Sequence, residues 1–460
     1  MSNSYNFNKI LLNFFIISIA LIIIYIIFKS INNPEKIFYY LKYLIFFILI
    51  LTLLLILKIF KKKKIIANLN LIIISTVFIV YILEITSYYV INKNKNFQFN
   101  QNKKIAKKLN LPFDKRNLKE VYNDLKKDYE NINFAYSGVS FNLNGVPIKS
   151  FGTISKSKII MCNVIGKWIV YNSDRYGFNN PDELWDRNVE IVIIGDSYVQ
   201  GHCVENKFNI RSVMSNISNK NILSLSMKGL GPMSELAIFK EYGLQKKPKD
   251  VILFFNLTDL DDLRIEKKNK ILKEYLRNKN FSQNLKKIQS DIDINTKLTI
   301  KDSNLIKGDF RLNKFIKFFH LRDLIKSKMD YFSNPYHTSK INNSFERRSK
   351  NLDIFYNVVS EFDSLTKNYG GRFHIFIISS IGDFRGTEVE KNQNLKLIKK
   401  IYDFLNDKKI NVYNVHDNFI ENLDDPLEML PFKVKDLKHE NHYGKTGYKK
   451  MTEYVYNQIF

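Results

Sequence analysis

The sequence predicts an α/β fold: a three-layer, doubly wound parallel sheet, preceded by transmembrane helices and interrupted by a helical insertion. Three observations predict it. Short β-branched apolar runs alternate with amphipathic helical stretches over residues 131–460, the pattern of a parallel sheet covered on both faces. Three apolar stretches in residues 1–91 each reach the roughly 20 residues that carry a helix across a bilayer. A charged helical stretch over residues 264–347 is too long for a simple crossover and reads as an inserted subdomain, able to cap a site or face the membrane.

The apolar stretches run Ile10 to Phe28, Ile37 to Leu57 and Ile65 to Ile91. No small-residue cleavage site follows Phe28, so the first is expected to remain as an anchor. Lys58, Lys61, Lys62, Lys63 and Lys64 lie between the second and third stretches, against only Lys29 and Lys36 between the first two. Positive loops stay cytoplasmic, which places the large carboxyl-terminal part outside; Lys93, Lys95, Lys103, Lys104, Lys107 and Lys108 pull the other way. Lys42 can snorkel to an interface and Glu84 lies near a helix end, so neither calls for a transport role.

Residues 92–130 are rich in lysine and asparagine and read as a juxtamembrane linker with one helix near Leu118 to Asp128. In the domain that follows, Val189 to Ile194, Asn221 to Ser226, Val251 to Phe255, Phe373 to Ile378 and Ile410 to Val415 read as buried strands. Helical patterns separate them at Phe208 to Ser218, Ser234 to Tyr242, Ser349 to Asn368 and Asn392 to Asn406.

The formal charge of +26 favours anionic partners. Lysine greatly outnumbers arginine, however, and no arginine-rich segment or nucleic-acid fold signature is present, so nucleic acid is not an expected partner. No Cys/His/Asp cluster has ligand spacing, so neither a metal nor a cofactor is expected. Cys162 and Cys203 flank a serine turn; they can pair in an oxidising compartment or remain as two buried thiols, and spacing leaves both open.

That turn, Gly195-Asp196-Ser197, leaves the first buried strand and puts a hydroxyl at the carboxyl edge of the sheet, where a following helix aims free N–H groups. Ser197 fits either a nucleophile or a helix N-cap. Further segments accompany it. Tyr171 to Pro181 is an asparagine-rich lead-in, Gly201 to Val204 continues the turn, and Met227 to Pro232 is a glycine turn followed by Ser234-Glu235-Leu236-Ala237. Asn256-Leu257-Thr258-Asp259 follows the third strand, and near the end stand Asp436-Leu437-Lys438-His439 and Glu440-Asn441-His442 with Gly447-Tyr448. Together these resemble the SGNH (GDSL-type) hydrolases, especially membrane-anchored bacterial members, over about Cys162 to the end.

The resemblance implies an SGNH-hydrolase-like, flavodoxin-like sheet and a Ser197, His442 and Glu440 triad, with Asp436 and His439 as the alternative acid and base. The first pair is favoured because Tyr448, Met451, Val455 and Ile459 then form a helix face behind the histidine loop. Gly229 matches the family's oxyanion glycine. The third block departs from the family's Gly-Asn-Asp: Thr258 stands in register where the asparagine is expected, and Asn256 comes two residues early. Losing an oxyanion donor removes about 3–4 kcal/mol of transition-state stabilisation. The implied activity is an esterase or O-acyltransferase on acylated, chiefly acetylated, cell-envelope glycans. Its expected setting is a bacterial inner membrane with the hydrolase domain periplasmic, and its partners are an ester substrate, the lipid bilayer and a membrane acyltransferase. The alternative is a catalytically weakened domain that binds glycan or a membrane partner in surface-polysaccharide assembly.

Overall fold

The five predicted strands assemble into one parallel sheet, two of whose inner members, Ile191–Gly195 and Asp250–Phe255, are buried on both faces. In this computed structural model, which describes the chain apart from residues 1, 32–36, 60–62, 96, 165, 303–314, 316, 333–341, 380–386 and 434–441, the five strands are β6 (Ile191–Gly195), β7 (Ile222–Ser226), β8 (Asp250–Phe255), β9 (Arg372–Ile377) and β10 (Asn411–Asn414). Their order across the sheet is β7-β6-β8-β9-β10, every pair parallel. Counted within the sheet this is 2-1-3-4-5, the flavodoxin-like order, whose direction reverses between β6 and β8. A crevice therefore opens at the carboxyl ends of those two strands, and Ser197 follows one while Asn256 follows the other.

Alternate residues of each strand feed two cores, which makes the three layers. Val192 and Ile194 of β6, with Leu253 and Phe255 of β8, pack against α7 (Pro232–Ile238), α9 (Leu352–Lys367) and α10 (Glu388–Asp407). Ile191, Ile193, Ile252 and Phe254 face the other way, onto α6 (Ile210–Ser218) and α11 (Lys445–Ile459). Tyr448, Met451 and Val455 of α11 are buried there, while Ile459 packs at the cluster's edge.

Five short strands precede this sheet and break the apolar pattern used to find the others. β1 (Ile132–Phe134), β4 (Lys158–Cys162) and β5 (Ile169–Asn172) form a three-stranded sheet, and β2 (Ser140–Leu143) pairs with β3 (Val146–Lys149) as a hairpin. The small sheet packs with α4 (Leu118–Asp128), whose Asn117 and Glu120 form a reciprocal capping box.

The chain divides into two units, and the N-terminal one is built on α1 (Ser2–Ile31), α2 (Ile37–Ile59) and α3 (Lys63–Lys95). By length and composition, Asn6–Ile31 and Lys64–Ile91 can cross a membrane, whereas the apolar part of the middle helix, Tyr40–Ile56, is shorter. Leu12, Leu54 and Ile66 pack together, while Phe14, Ile17, Leu21, Leu49, Ile72 and Phe78 stand exposed. Part of the insertion also belongs to this unit. Its His320 is held by Glu84 of α3, which accepts from the His320 and Leu321 backbone N–H groups at 3.1 and 2.7 Å and lies 2.6 Å from His320 Nδ1.

Candidate active site

The turn after β6 is built for close approach. A Cβ on Gly195 would lie 2.5 Å from Val199 Cγ2, so only glycine lets the chain reverse here. Asp196 caps the short helix α5 (Ser197–Gln200), accepting from Tyr198 N–H at 2.8 Å. Ser197 thus sits at the first helical position, and its Oγ lies 2.8 Å from His442 Nε2 and 3.3 Å from Asp196 Oδ2. The contact joins residues 245 positions apart. Behind it, the Tyr443 hydroxyl donates to the Ser379 carbonyl at 2.8 Å and fixes the backbone next to His442. Glu440, Asp436 and His439 lie outside the described residues.

A second histidine, unassigned by the sequence pattern, completes this side. The His202 ring packs on the His442 ring with centroids 4.3 Å apart, and Tyr198 packs on His442 at 4.9 Å. Burial, then the charges of His442 and Lys228, hold His202 well below the usual histidine range, so it stays neutral. Its signal in the sequence was position: it follows Gly201 in the nucleophile block, next to a cysteine. That cysteine, Cys203, is bonded to Cys162, Cα to Cα 5.6 Å, which ties the segment after Ser197 to β4.

The other wall comes from the second and third blocks. Gly229 takes a left-handed φ of +75° in the turn after β7. The turn is pinned where Lys228 N–H donates to Gln200 Oε1 at 3.1 Å and the Lys228 carbonyl accepts from Ser137 Oγ at 2.8 Å. Asn256 is buried, and its Nδ2 donates to Asp259 Oδ1 at 3.0 Å and reaches Asp196 Oδ2 at 3.5 Å. Thr258 turns away from that role, its hydroxyl donating to Asn256 Oδ1. Of the two third-block residues, Asn256 is the one brought next to the nucleophile turn.

Beneath these walls lie buried carboxyl groups. Burial pushes Asp196, Glu235, Asp259 and Glu266 upward, and Asp262 is raised to about 7 by burial and then by Glu266. Glu235 Oε1 has no hydrogen-bond partner among the described residues. The asparagines of the lead-in brace the same region. Asn179 Nδ2 donates to the Gln200 carbonyl at 3.3 Å, and Asn180 exchanges bonds with the Ser224 backbone at 2.9 and 2.8 Å.

Two groups have ligand atoms close enough for a metal ion among the described residues. One is Cys162, His202 and Cys203, whose sulfurs are bonded to each other; the other is His416, Asp417 and Glu421. A cavity of about 510 Å³ is lined by Val204, Phe208, Leu430 and Gly444, with Lys207 and Lys445 among its polar groups.

The chain matches no protein-family model and no curated protein. Among solved structures it is similar to a protein from Desulfitobacterium hafniense DCB-2 described as lipolytic and of the G-D-S-L family, at 15% identity and a TM-score of 0.29, over 59% of this chain and 100% of that one. A likeness at that level bears on no functional point. The class rests on the chain's own geometry: a parallel α/β domain with 2-1-3-4-5 strand order, which fits an SGNH-like fold, and a serine–histidine pair at its switch point.

Proposed function

We propose that this chain is a membrane-anchored serine hydrolase of the SGNH type, an esterase or O-acyltransferase that works through an acyl-enzyme. The observation that carries the proposal is the 2.8 Å contact between Ser197 Oγ and His442 Nε2 at the switch point of the sheet. His442 Nε2 takes the Ser197 proton as Oγ bonds to the ester carbonyl carbon. The tetrahedral oxyanion is received by backbone N–H groups at Ser197 and Gly229 and by the Asn256 amide. Collapse breaks the bond to the leaving alcohol, which takes the proton back from His442. Water then yields a carboxylic acid, and a sugar hydroxyl yields a transferred ester. Glu440 is the proposed acid that orients His442.

The proposed substrates are acyl, chiefly acetyl, esters of cell-envelope glycans, with a membrane acyltransferase as partner. The apolar N-terminal helices and the excess of lysine support that setting, since a basic surface favours acidic glycans and anionic lipid. The test is turnover of a short-chain aryl ester by the full chain in detergent, with and without Ser197→Ala, together with labelling by a serine-directed phosphonate. Serine-dependent turnover and labelling are expected, and absence of both overturns the enzyme reading. One observation favours a second reading, a weakened domain that binds glycan or a membrane partner: the Thr258 hydroxyl is engaged by Asn256, and the Asn256 amide by Asp259. Glycan binding without turnover would select it.

A further inference from the structure

Helix α8 (Asp259–Glu266) begins on the last residue of the third block, and its two end residues grip the third and second blocks. At its start, Asp259 accepts the Asn256 backbone N–H at 2.8 Å and its Nδ2 at 3.0 Å. At its end, Glu266 accepts Gly231 N–H at 3.0 Å, Met233 N–H at 2.9 Å, Ser234 N–H at 3.2 Å and the Ser234 hydroxyl at 2.5 Å. One carboxylate thus binds the N-terminal turn of α7, two residues beyond Gly229. The approach is tight: a Cβ on Gly231 would lie 2.7 Å from Asp262 Cβ and 2.9 Å from Glu266 Oε2. Glu266 is 8% exposed, so these bonds form in a medium where an unmatched carboxylate would be unstable and where matched ones are strong.

We infer that Glu266 is a positioning residue for the oxyanion site, and that α8 works as a strap setting the distance between the Gly229 turn and Asn256. The inference rests on the serine-hydrolase reading above, because it assigns the strap's purpose to that reaction. The physical case is that the two walls come from different strands, β7 and β8, which are not neighbours in the sheet, since β6 lies between them. No ladder hydrogen bond joins the two directly, and pairing with β6 ends at Ser226 and Leu253, short of both turns, so the sheet alone cannot set the separation of the turns. A rigid connection gripping both ends can, and it holds donors where charge develops without reorganisation during the reaction. Asp261 ties the same helix to the end of the insertion, meeting Arg347 Nε at 2.6 Å and Arg348 Nη2 at 3.0 Å, so the strap is also anchored from outside.

The test compares wild type, Glu266→Gln and Glu266→Ala in the full chain in detergent. Glu266→Ala is expected to lower kcat on an aryl ester on the order of 10²-fold, with KM within about two-fold. Its affinity for an aryl boronic acid, which forms the tetrahedral adduct on serine, should fall by the same factor. Glu266→Gln keeps one oxygen for Gly231 and Ser234 and should recover part of both. A KM rise at constant kcat, or lowered thermal stability with kcat and boronate affinity unchanged, overturns the inference. Amide hydrogen exchange separates its failure from failure of the hydrolase reading. If wild type shows no Ser197-dependent turnover, that reading fails, and the clamp is then judged by exchange alone. Faster exchange over residues 229–234 in Glu266→Gln, with 191–195 unchanged, supports the clamp, and unchanged exchange over 229–234 overturns it.

Discussion

Ser197 has two acceptors within reach of its proton, and their environments decide which one works. His442 Nε2 lies 0.5 Å closer than Asp196 Oδ2 (2.8 against 3.3 Å), and Asp196 already accepts from Tyr198 N–H. Under the proposed mechanism Asp196 is therefore a brace for the turn, and His442 the base. Ser197→Ala is expected to reduce ester turnover on the order of 10⁴-fold or more while leaving the thermal transition in place, measured side by side on one preparation. His202 titrates in a way that reaches stability. Burial keeps it neutral in the folded state, while in the unfolded chain it takes a proton below its ordinary value of 6.5. Its depressed folded value means that stability is complete above that pH and declines as pH falls below it. Between pH 7 and 5 the urea midpoint of wild type should drop more than that of His202→Gln, and equal drops would exclude this role. The serine and the favoured histidine were legible because both sit in short motifs. His202 had no marker beyond its place after Gly201, and Glu266 had none, because their partners lie at positions 442 and 231–234.

The elements were legible in proportion to their apolar periodicity. β6 and β8 hold continuous apolar runs and stand out, β7, β9 and β10 hold apolar residues interrupted by polar ones, and β1 to β5 are short and partly exposed, so their pairing follows from tertiary neighbours. The bridge between β4 and the turn after α5 closes a loop of 41 residues, and replacing both Cys162 and Cys203 by serine is expected to destabilise the domain by about 2–4 kcal/mol in chemical denaturation. Helix α8 carries the opposite kind of term. Asp262, raised to about 7, keeps its proton in the folded state between pH 3.8 and 7, where the unfolded chain has lost it. Stability therefore falls as pH rises through that window. Asp262→Asn should be the more stable protein at pH 8, with the difference closing by pH 4, in paired melting curves.

At the scale of the whole molecule, the chain joins a unit of long apolar helices to a parallel α/β domain. If the lysine loop Lys58 to Lys64 is cytoplasmic, the domain carrying Ser197 is external. Carbonate extraction should leave the protein in the membrane fraction, and protease added to spheroplasts should remove the carboxyl-terminal part. A protected domain would reverse the topology.

Local chemistry by itself determined the class of each segment: apolar length for the N-terminal helices, β-branched runs for the sheet, and a glycine turn that presents a serine. These are properties of neighbours in the chain, where backbone geometry and burial act over a few residues. Only the tertiary structure decided what converges on Ser197. Strand order placed β6 between β7 and β8, and this separated the Gly229 turn from Asn256 and left α8 to join them. The same packing set the His202 ring against His442. Such contacts depend on the register of elements far apart in sequence, and register is settled by the packing of all the layers together.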